Sequence, residues 1–570
     1  MAKDMNFIQP DNPTNEERHK MLRMTLEKVN RLEDFDNIIK LLGPPKEITS
    51  ILNPGSCKDI KVGIIGAGIA GLTSAFELRK LGFNITIFET EKNRIGGRIY
   101  THYFDKDKRY YGELGAMRLP ISHESVWHYI NLFKLKTRPF IQNNENAFIY
   151  IRNKRARNDA QGKSVMENIY PEFKLTPKER NTPWQKLIEY ALTSNLYKIS
   201  PNIRKELLEI KKEYSMTIKY VGRYGIRRVM EKMGLSEGAI ELISGIAPFL
   251  GCFYYNSYSE NLIEEYTLDY AYRYEIEGGF IKLPLASYKS LLSTEPKEYV
   301  NIDENSLGKV TFKRGKTIIG IHKFDGLNKV CLEYRDEKNL EIFKENFDFV
   351  ICSIPFSSLR NVNIDPMFST EKMQSIKEVF YTSSQKTVFL CRKRFWEEGS
   401  ANERIIGGGS STDLPIQTIW YPNHSGNINQ KRALENRKSN LNRSAGVLLA
   451  SYNINLDAIR LGNLDDNDRI YEIKRQVEKV HGLKKGYLDP IVIDYKTVDW
   501  NKEKGFYGAF CYFYPEQQQL FSYAIEKPEY ENRVYFAGEH VSLTHGWIQG
   551  SILSAMNAAN SIAEYCKSMI

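Results

Sequence analysis

A strand, a glycine-rich turn and a helix follow one another between residues 60 and 81, and this unit constrains the fold more than any other feature of the chain. The run IKVGIIGA at 60–67 is mostly apolar, which is typical of a strand buried in a parallel sheet. It leads into GAGIAG at 66–71, which fits the pattern G-x-G-x-x-G. A helix is predicted over 70–81 and a second short strand over 84–88. This order predicts an α/β fold with a Rossmann-like domain that binds a dinucleotide.

Each glycine of the turn has its own role in such a domain. Gly66 permits the tight turn, Gly68 lets a pyrophosphate approach the backbone, and Gly71 allows close packing of the helix on the strand. The N-terminus of the helix adds free N–H groups and the positive end of the helix dipole. Glu89 ends the next strand, where a carboxylate can accept hydrogen bonds from ribose hydroxyls. The alternative interpretation is a glycine turn inside an ordinary α/β core.

Composition excludes several classes of protein. The 570 residues correspond to three or four domains at roughly 150 residues each. Hydrophobic residues make up 42% and charged residues 26%, which is ordinary for a globular protein and excludes a disordered or fibrous chain. No apolar run approaches the roughly 18 residues of a transmembrane helix, and the polar N-terminus lacks the apolar core of a secretory signal. We therefore expect a cytoplasmic protein without a membrane partner.

Charge and cysteines set weaker limits. The 80 basic and 70 acidic residues leave a net charge of +10, but the excess is spread along the chain, so no nucleic-acid partner is expected. The seven cysteines are scattered and none lies in a CxxC pair, which argues against a zinc site or a redox dithiol. Free thiols and no bound metal are therefore expected.

Hydrophobic periodicity predicts further elements. Residues 1–58 are charged and favour helix, and residues 155–250 carry apolar side chains at helical spacing. Strand patterns return in the second half of the chain, where GGGS at 407–410 is predicted as a loop. Near the end, RVYFAG at 533–538 is predicted as a strand and residues 550–567 as a helix.

Four short motifs connect the chain to a known family. They are RIGGR at 94–98, GAMRLP at 115–120, FAGEH at 536–540 and HGWI at 545–548. With these motifs in order, the chain resembles the FAD-dependent amine oxidases over about residues 60–565. Within that family it is most similar to the L-amino-acid oxidases, of the snake-venom type and their bacterial relatives.

The resemblance implies a fold and a division of the chain. It implies a split FAD-binding domain of the Rossmann type, a mixed-sheet substrate domain and a helical insertion. The predicted segments are an N-terminal helical segment at 1–58, the FAD-binding domain at 59–100, 259–364 and 501–570, the substrate domain at 101–154 and 365–500, and the helical subdomain at 155–258.

The resemblance also implies which residues hold FAD. These are Gly66, Gly68, Ala70, Gly71, Glu89, Gly97, Arg98, Met117, Arg118, Val310, Trp500, Glu539, Trp547 and Ile548. The helix after Ile548 would point its N-terminus at the flavin, where negative charge develops on reduction. No cysteine-containing attachment signature is recognisable near the C-terminus, so the FAD is expected to be non-covalent.

Arg118 is the residue that best separates amino-acid oxidases from plain amine oxidases. By resemblance its guanidinium pairs with the substrate carboxylate, which a planar fork binds in bidentate fashion; the alternative is a structural salt bridge. Tyr452 is implied as the second carboxylate partner, with a core tyrosine as the alternative. Lys386 is implied as a catalytic lysine that holds a water near flavin N5, with a lysine snorkelling from a strand end as the alternative. The other implied substrate contacts are Phe510, Gly546 and Trp547.

The chain departs from the venom enzymes at several positions. An arginine of those enzymes, which follows the tyrosine before the lysine strand, is Thr382 here, and Phe510 replaces a smaller aliphatic residue. Those enzymes carry a histidine, proposed as a base, in the segment before Gly278-Gly279, and this chain has NLIEEY at 261–266 instead. The resemblance therefore implies no histidine base at that place.

Together these features predict flavin-dependent oxidative deamination of L-amino acids to a 2-oxo acid, ammonia and hydrogen peroxide, with hydride transfer from Cα to flavin N5 and O2 as the oxidant. Phe510 and Trp547 favour apolar or aromatic amino acids, and the resemblance implies a homodimer or higher homo-oligomer. The open alternatives are a flavin amino-acid 2-monooxygenase, which releases an amide and CO2, an amine oxidase or dehydrogenase, and a non-catalytic FAD-bound protein.

Overall fold

A five-stranded parallel sheet forms one layer of the fold. The computed structural model describes residues 9–324, 326, 328–423 and 445–569. In spatial order the strands are Val310–Arg314, Asn84–Glu89, Lys61–Ile65, Phe349–Cys352 and Val534–Phe536. All neighbours run parallel. The central strand is buried from Val62 to Ile65, as expected for a strand with both faces covered.

Two helices pack against this sheet and against each other. Helix Ile69–Arg79 follows the central strand directly after the glycine turn. Helix Ile548–Met569 packs along it, and its buried Ala555 and Ala559 allow a close approach. The predicted α/β fold with a Rossmann-like unit is therefore confirmed.

A seven-stranded mixed sheet forms a second layer. In spatial order it contains Val492–Asp499, Ser384–Cys391, Gly446–Ile454, Thr418–Trp420, Gly409–Thr412, Phe148–Ile151 and Lys154–Arg157. Only the contact between Gly409–Thr412 and Phe148–Ile151 is parallel within this sheet. Its register places Lys386 directly opposite Tyr452 on the neighbouring strand.

Four smaller sheets complete the strand structure of the described residues. The four-stranded sheet contains Ile342–Phe347, Val330–Asp336, Lys316–Lys323 and Asn363–Asp365, and the three-stranded sheet contains Leu119–Pro120, Arg273–Ile276 and Thr137–Pro139. The two-stranded sheets are Tyr381–Thr382 with Phe510–Cys511 and Thr101–Tyr103 with Tyr111–Glu113. In the three-stranded sheet, Leu119–Pro120 pairs with Arg273–Ile276, so Arg118 lies beside a strand that is distant in the sequence.

The remaining α-helices lie mainly at the N-terminus and in the middle of the chain. They are Asn15–Lys28, Phe35–Leu42, Glu124–Leu132, Lys163–Asn168, Pro177–Arg180, Trp184–Thr193, Pro201–Arg204, Met216–Val221, Ile226–Lys232, Glu237–Ile246, Tyr258–Thr267, Lys282–Leu292, Phe356–Leu359, Thr370–Glu378, Leu456–Gly462, Asp466–His481 and Gln517–Glu526. The helices from Lys163–Asn168 to Glu237–Ile246 lie within the segment 155–258 that is predicted as a helical subdomain, and helix Tyr258–Thr267 extends beyond that segment. No helix in the described part of the chain is long and apolar enough to cross a membrane.

The glycine-rich stretch at 407–410 differs from its prediction as a loop. Gly407 and Gly408 turn the chain with φ values of +70° and +78°, which favour glycine. Gly409 and Ser410 already belong to strand Gly409–Thr412 and pair with Trp420 and Ile419. The predicted domain boundaries stay a prediction, and residues 1–8, 325, 327, 424–444 and 570 of those segments lie outside the described residues.

Candidate active site

One cavity of about 930 Å³ lies between the two main sheets. The predicted site residues on its wall are Gly66, Gly68, Ala70, Glu89, Gly97, Arg98, Met117, Arg118, Lys386, Tyr452, Trp500, Phe510, Glu539, Gly546, Trp547 and Ile548. Gly71 is not on the wall but inside helix Ile69–Arg79. Val310 is not on the wall either, because it lies in an edge strand paired with Ile85.

The glycine turn has the geometry that its sequence pattern requires. Gly66 has a φ of +100°, a conformation that side-chain-bearing residues rarely adopt. A Cβ on Gly71 would lie 2.1 Å from the carbonyl oxygen of Gly66, so only glycine lets the helix pack this closely. A Cβ on Gly68, in contrast, would meet only the Cα of Gly97 at 3.9 Å. The backbone at Gly68 therefore faces open space on the cavity wall.

Glu89 lies at the carboxyl end of the neighbouring strand and faces the same space. Its carboxylate accepts hydrogen bonds from the backbone N–H of Ala67 at 2.9 Å and of Glu91 at 2.8 Å. Burial raises the pKa of this carboxyl above its ordinary value. The group is thus held at the edge of the glycine turn, where ribose hydroxyls of a dinucleotide would lie.

Glu539 connects three segments at the far end of the cavity. Its Oε1 accepts hydrogen bonds from Arg98 Nη1 at 2.9 Å and from the Cys511 N–H at 3.0 Å. Its Oε2 accepts the N–H of Gly546 at 3.1 Å. Helix Ile548–Met569 begins directly after this point, with Ile548 and Ser551 on the wall.

These features fit FAD. A glycine turn with open space at Gly68, a carboxylate at Glu89 and a helix N-terminus supply the contacts that an ADP half needs. The second glycine loop approaches the first one, with Gly96 bridged to Gly68. The N-terminus of helix Ile548–Met569 lies on the same wall and places a positive dipole end there.

Arg118 faces the cavity without an acidic partner. Its Nη1 lies 3.5 Å from Gln142 Oε1, and its guanidinium carbon lies 5.0 Å from the centre of the Trp420 ring. Within the part of the chain that the structure describes, no carboxylate lies within ion-pair distance of it. This favours the carboxylate role of Arg118 over a structural salt bridge.

Lys386 and Tyr452 lie together on adjacent strands. The Lys386 ammonium group donates a hydrogen bond to the Gly115 carbonyl oxygen at 2.7 Å and lies 4.2 Å from the centre of the Tyr452 ring. The lysine side chain is only 3% exposed. Burial, with a smaller effect of Arg118, lowers the pKa of Lys386 to about 7, and Glu113 opposes this shift. Lys386 is therefore available as a neutral amine near neutral pH.

Aromatic side chains enclose this part of the cavity. Phe249 packs against Tyr452 with ring centres 4.6 Å apart, and Phe510 lines the wall next to Gly546. Trp547 donates from Nε1 to Glu264 Oε1 at 3.2 Å, and the Trp500 indole donates to the Leu114 carbonyl at 2.9 Å. These bonds fix the aromatic walls.

The sequence interpretation missed several cavity residues. Gln142, Glu264, Glu265, Tyr270 and Arg273 all lie on the wall. Burial raises the pKa of the Glu264 and Glu265 carboxyls to about 7, and Tyr270 donates its hydroxyl to Glu264. Two consecutive glutamates in the segment 261–266 are the sequence signal that points to this part of the wall.

The chain is similar to known flavoproteins in sequence and in fold. The sequence profile of the family described as flavin containing amine oxidoreductase matches residues 69–563. An L-amino-acid oxidase from Crotalus adamanteus is 31% identical over 546 residues, which cover 95% of this chain and 92% of that protein. An L-amino-acid oxidase from Gloydius halys is 30% identical over 542 residues, which cover 95% of each protein.

Solved structures show the same architecture. Putrescine oxidase with bound putrescine superposes with a TM-score of 0.63 at 14% identity, covering 88% of this chain and 98% of that chain. Cyclohexylamine oxidase from Brevibacterium oxydans has a TM-score of 0.61 at 15% identity, covering 89% of this chain and 99% of that chain. At such low identity this likeness shows the fold alone.

Proposed function

The chain belongs to the family of flavin-containing amine oxidoreductases, and on this basis we propose that it is an FAD-dependent oxidase of L-amino acids. The reaction is oxidative deamination, which consumes an L-amino acid, O2 and water and releases a 2-oxo acid, ammonia and hydrogen peroxide. FAD is the cofactor, as in the family as a whole.

Arg118 is the observation that carries the substrate class. An L-amino acid differs from a plain amine by its carboxylate, and a guanidinium binds a carboxylate in bidentate fashion. Arg118 lies on the cavity wall, and its cation is not neutralised by an acidic side chain of the described residues. A half-buried cation without an acidic partner favours a substrate that brings its own anion.

Tyr452 is the proposed second contact for the carboxylate. Its ring lies against Lys386 and lines the cavity. Burial raises the pKa of its hydroxyl above the ordinary value, and the charge of Arg118 opposes this shift. Arg118 lines the same cavity, which supports a role for both residues in orienting one carboxylate.

Lys386 is the proposed group that handles a proton. When bound, FAD would supply the two-electron oxidation of the substrate Cα–H bond, with O2 as the terminal oxidant. The substrate amine must be neutral for this step, and Lys386 Nζ in its neutral form can take up the ammonium proton, directly or through a water. Aromatic walls around this part of the cavity provide an apolar surface for the side chain of the substrate.

The same walls support a preference for apolar or aromatic side chains. Phe249, Phe510 and Tyr512 line the cavity, and the Glu264 carboxylate is already bound by Tyr270 and Trp547. We therefore expect a higher kcat/KM for L-phenylalanine and L-leucine than for L-lysine and L-glutamate. The reverse order would contradict this preference without affecting the reaction class.

An anaerobic screen tests the function itself. The flavin absorbance is recorded after mixing with each standard L-amino acid, and bleaching is expected with L-amino acids but not with their D-enantiomers. In air, the best substrate should then give hydrogen peroxide and ammonia in equal amounts. Release of CO2 with an amide product would indicate a 2-monooxygenase instead, and bleaching by no L-amino acid would refute the proposal.

Oligomeric state and location stay predictions. A homo-oligomer is carried over from the family resemblance, and sedimentation of the purified protein would test it. The cytoplasmic location would be tested by cell fractionation.

A further inference from the structure

A second arginine, Arg273, lies on the cavity wall next to Arg118 and is only 2% exposed. Its Nε donates to the Asp269 carbonyl oxygen at 2.6 Å, and its Nη1 donates to Gln142 Oε1 at 2.5 Å. Its Nη2 has no hydrogen-bond partner. No carboxylate of the described residues forms an ion pair with it.

The acidic side chains nearest to Arg273 are engaged elsewhere. Asp269 Oδ1 lies 3.2 Å from both Ser122 Oγ and His123 Nε2. Glu264 accepts hydrogen bonds from Tyr270 and Trp547. An arginine this deeply buried is almost always paired with an anion, so Arg273 lacks the partner that its position calls for.

Arg118 and Arg273 converge on one neutral oxygen atom. Gln142 Oε1 lies 3.5 Å from Arg118 Nη1 and 2.5 Å from Arg273 Nη1. Burial and the neighbouring Arg118 lower the pKa of Arg273 to about 9. Two like charges around an uncharged oxygen repel each other, and an anion in the same position would pair with both.

The backbone holds the two arginines together. Leu119 and Pro120 pair with Tyr274 and Arg273 in the three-stranded sheet, so Arg118 immediately precedes the paired segment. Gln142 lies in the irregular segment after strand Thr137–Pro139 and is half-buried. A loop side chain can move at lower cost than a strand residue, so the amide is the group that can give way.

We propose that Arg273 is a second binding residue for the α-carboxylate of the substrate, which enters between Arg118 and Arg273 and displaces the Gln142 amide oxygen. The inference rests on the proposed function, since it needs an L-amino acid as substrate. A carboxylate has two oxygen atoms and can accept from both guanidinium groups at once. Both arginines contact Gln142 Oε1, so a carboxylate in that position meets both. Because Arg118 is the proposed partner of the α-carboxylate, we assign this position to the α-carboxylate.

The test uses the FAD-bound enzyme and a ligand that cannot be oxidised. The ligand is 4-methylpentanoate, which is leucine without its amino group, and the neutral 4-methylpentanamide is the comparison. Binding is followed by the change in flavin absorbance. Arg273→Gln should weaken binding of the carboxylate by about 30-fold or more, as for removal of one partner from a buried charged pair, and leave binding of the amide unchanged. Arg273→Lys should recover only part of the loss, since an ammonium lacks the planar fork.

Arg138→Gln is the matched control. Arg138 lies in the neighbouring strand of the same sheet, forms an ion pair with Glu275 and is absent from the cavity wall. Its replacement should leave the dissociation constant of the carboxylate unchanged. Equal losses in the Arg138 and Arg273 variants would overturn the proposal, because they would indicate a general defect of the sheet.

A second variant serves if Arg273→Gln fails to fold. Gln142→Ala removes the oxygen that competes with the ligand, so binding of 4-methylpentanoate should become tighter. Weaker binding in this variant would overturn the proposal.

Kinetics separates this inference from the proposed function. Arg273→Gln should raise KM for L-leucine and L-glutamate by the same factor. A loss confined to L-glutamate would show that Arg273 binds a side-chain carboxylate and would overturn the α-carboxylate assignment. If the wild type oxidises L-leucine and the variant binds carboxylates normally, only this inference fails; if the wild type oxidises no L-amino acid, the proposed function fails with it.

Discussion

Arg98 and Glu539 form an ion pair of 2.9 Å although they are 441 residues apart in the chain. The Glu539 side chain is 5% exposed and that of Arg98 is 22% exposed. The same carboxylate also binds the backbone N–H groups of Cys511 and Gly546. The pair therefore holds the second glycine loop against the start of the C-terminal helix, and both segments line the cavity in which FAD is proposed to bind.

Glu539→Gln is expected to destabilise the protein. The glutamine amide carries no charge to pair with Arg98. Loss of one partner of a buried ion pair lowers the free energy of unfolding by about 3–5 kcal/mol. The lower end applies here because Arg98 is partly hydrated. Urea denaturation followed by tryptophan fluorescence measures the change. The control is Lys46→Met, which removes an exposed ion pair with Glu564 and should cost about 1 kcal/mol or less. Equal effects of the two changes would contradict the role of Glu539.

Gly68→Ala should impair FAD binding, whereas Gly71→Ala should impair the stability of the fold. The Cβ on Gly68 meets open space in the protein, so this variant should fold normally and lose FAD, because the methyl group occupies the place of the pyrophosphate. The Cβ on Gly71 overlaps the Gly66 carbonyl oxygen, so this variant should be destabilised. The flavin-to-protein absorbance ratio and the thermal midpoint separate the two. Full FAD content in the Gly68→Ala variant would show that the pyrophosphate of FAD does not lie at Gly68.

The FAD should be bound without a covalent bond. The prediction rests on the missing attachment signature and on a cavity wall that includes no cysteine of the described residues. Acid precipitation should release the yellow flavin into the supernatant. Colour that stays with the pellet would contradict it.

The rate should rise with pH through about 7 because of Lys386. Its pKa is lowered to about 7, chiefly by burial, and the neutral amine, which is the proton acceptor, prevails above that value. Lys386→Met should lose this limb of the kcat profile and lower kcat by about 100-fold or more. Burial also raises the pKa of Glu264 and Glu265 to about 7, and both residues are still present in the Lys386→Met variant. If the pH dependence near 7 persists in that variant, it arises from these glutamates, which would contradict the assignment to Lys386.

Residues within contiguous motifs could be predicted from the sequence. The glycine turn, Glu89 and the helix after Ile548 follow from local pattern, because strand, turn and helix signals are contained in short windows. Lys386 and Tyr452 could be named only through the family resemblance. Their contact depends on the register between strands Ser384–Cys391 and Gly446–Ile454, which hydrophobic periodicity alone does not fix.

Arg273 and Gln142 could not be predicted for a different reason. Arg273 reaches the site because its strand pairs with Leu119–Pro120, and a pairing between such distant segments leaves no local trace. Gln142 lies in an irregular segment, where side-chain direction has no period. The two residues belong to no motif, so only the folded structure brings them together.

The Arg118→Ala variant tests the central claim most directly. The kcat/KM of the best L-amino acid is compared with that of its decarboxylated amine, in the wild type and in the variant. If Arg118 binds the substrate carboxylate, loss of the buried pair costs about 2–5 kcal/mol, which corresponds to a roughly 30-fold to several-thousand-fold decrease for the amino acid. The weak turnover of the amine, which has no carboxylate to lose, should be nearly unchanged. An equal decrease for amine and amino acid would make Arg118 a structural residue and contradict the assignment to L-amino acids.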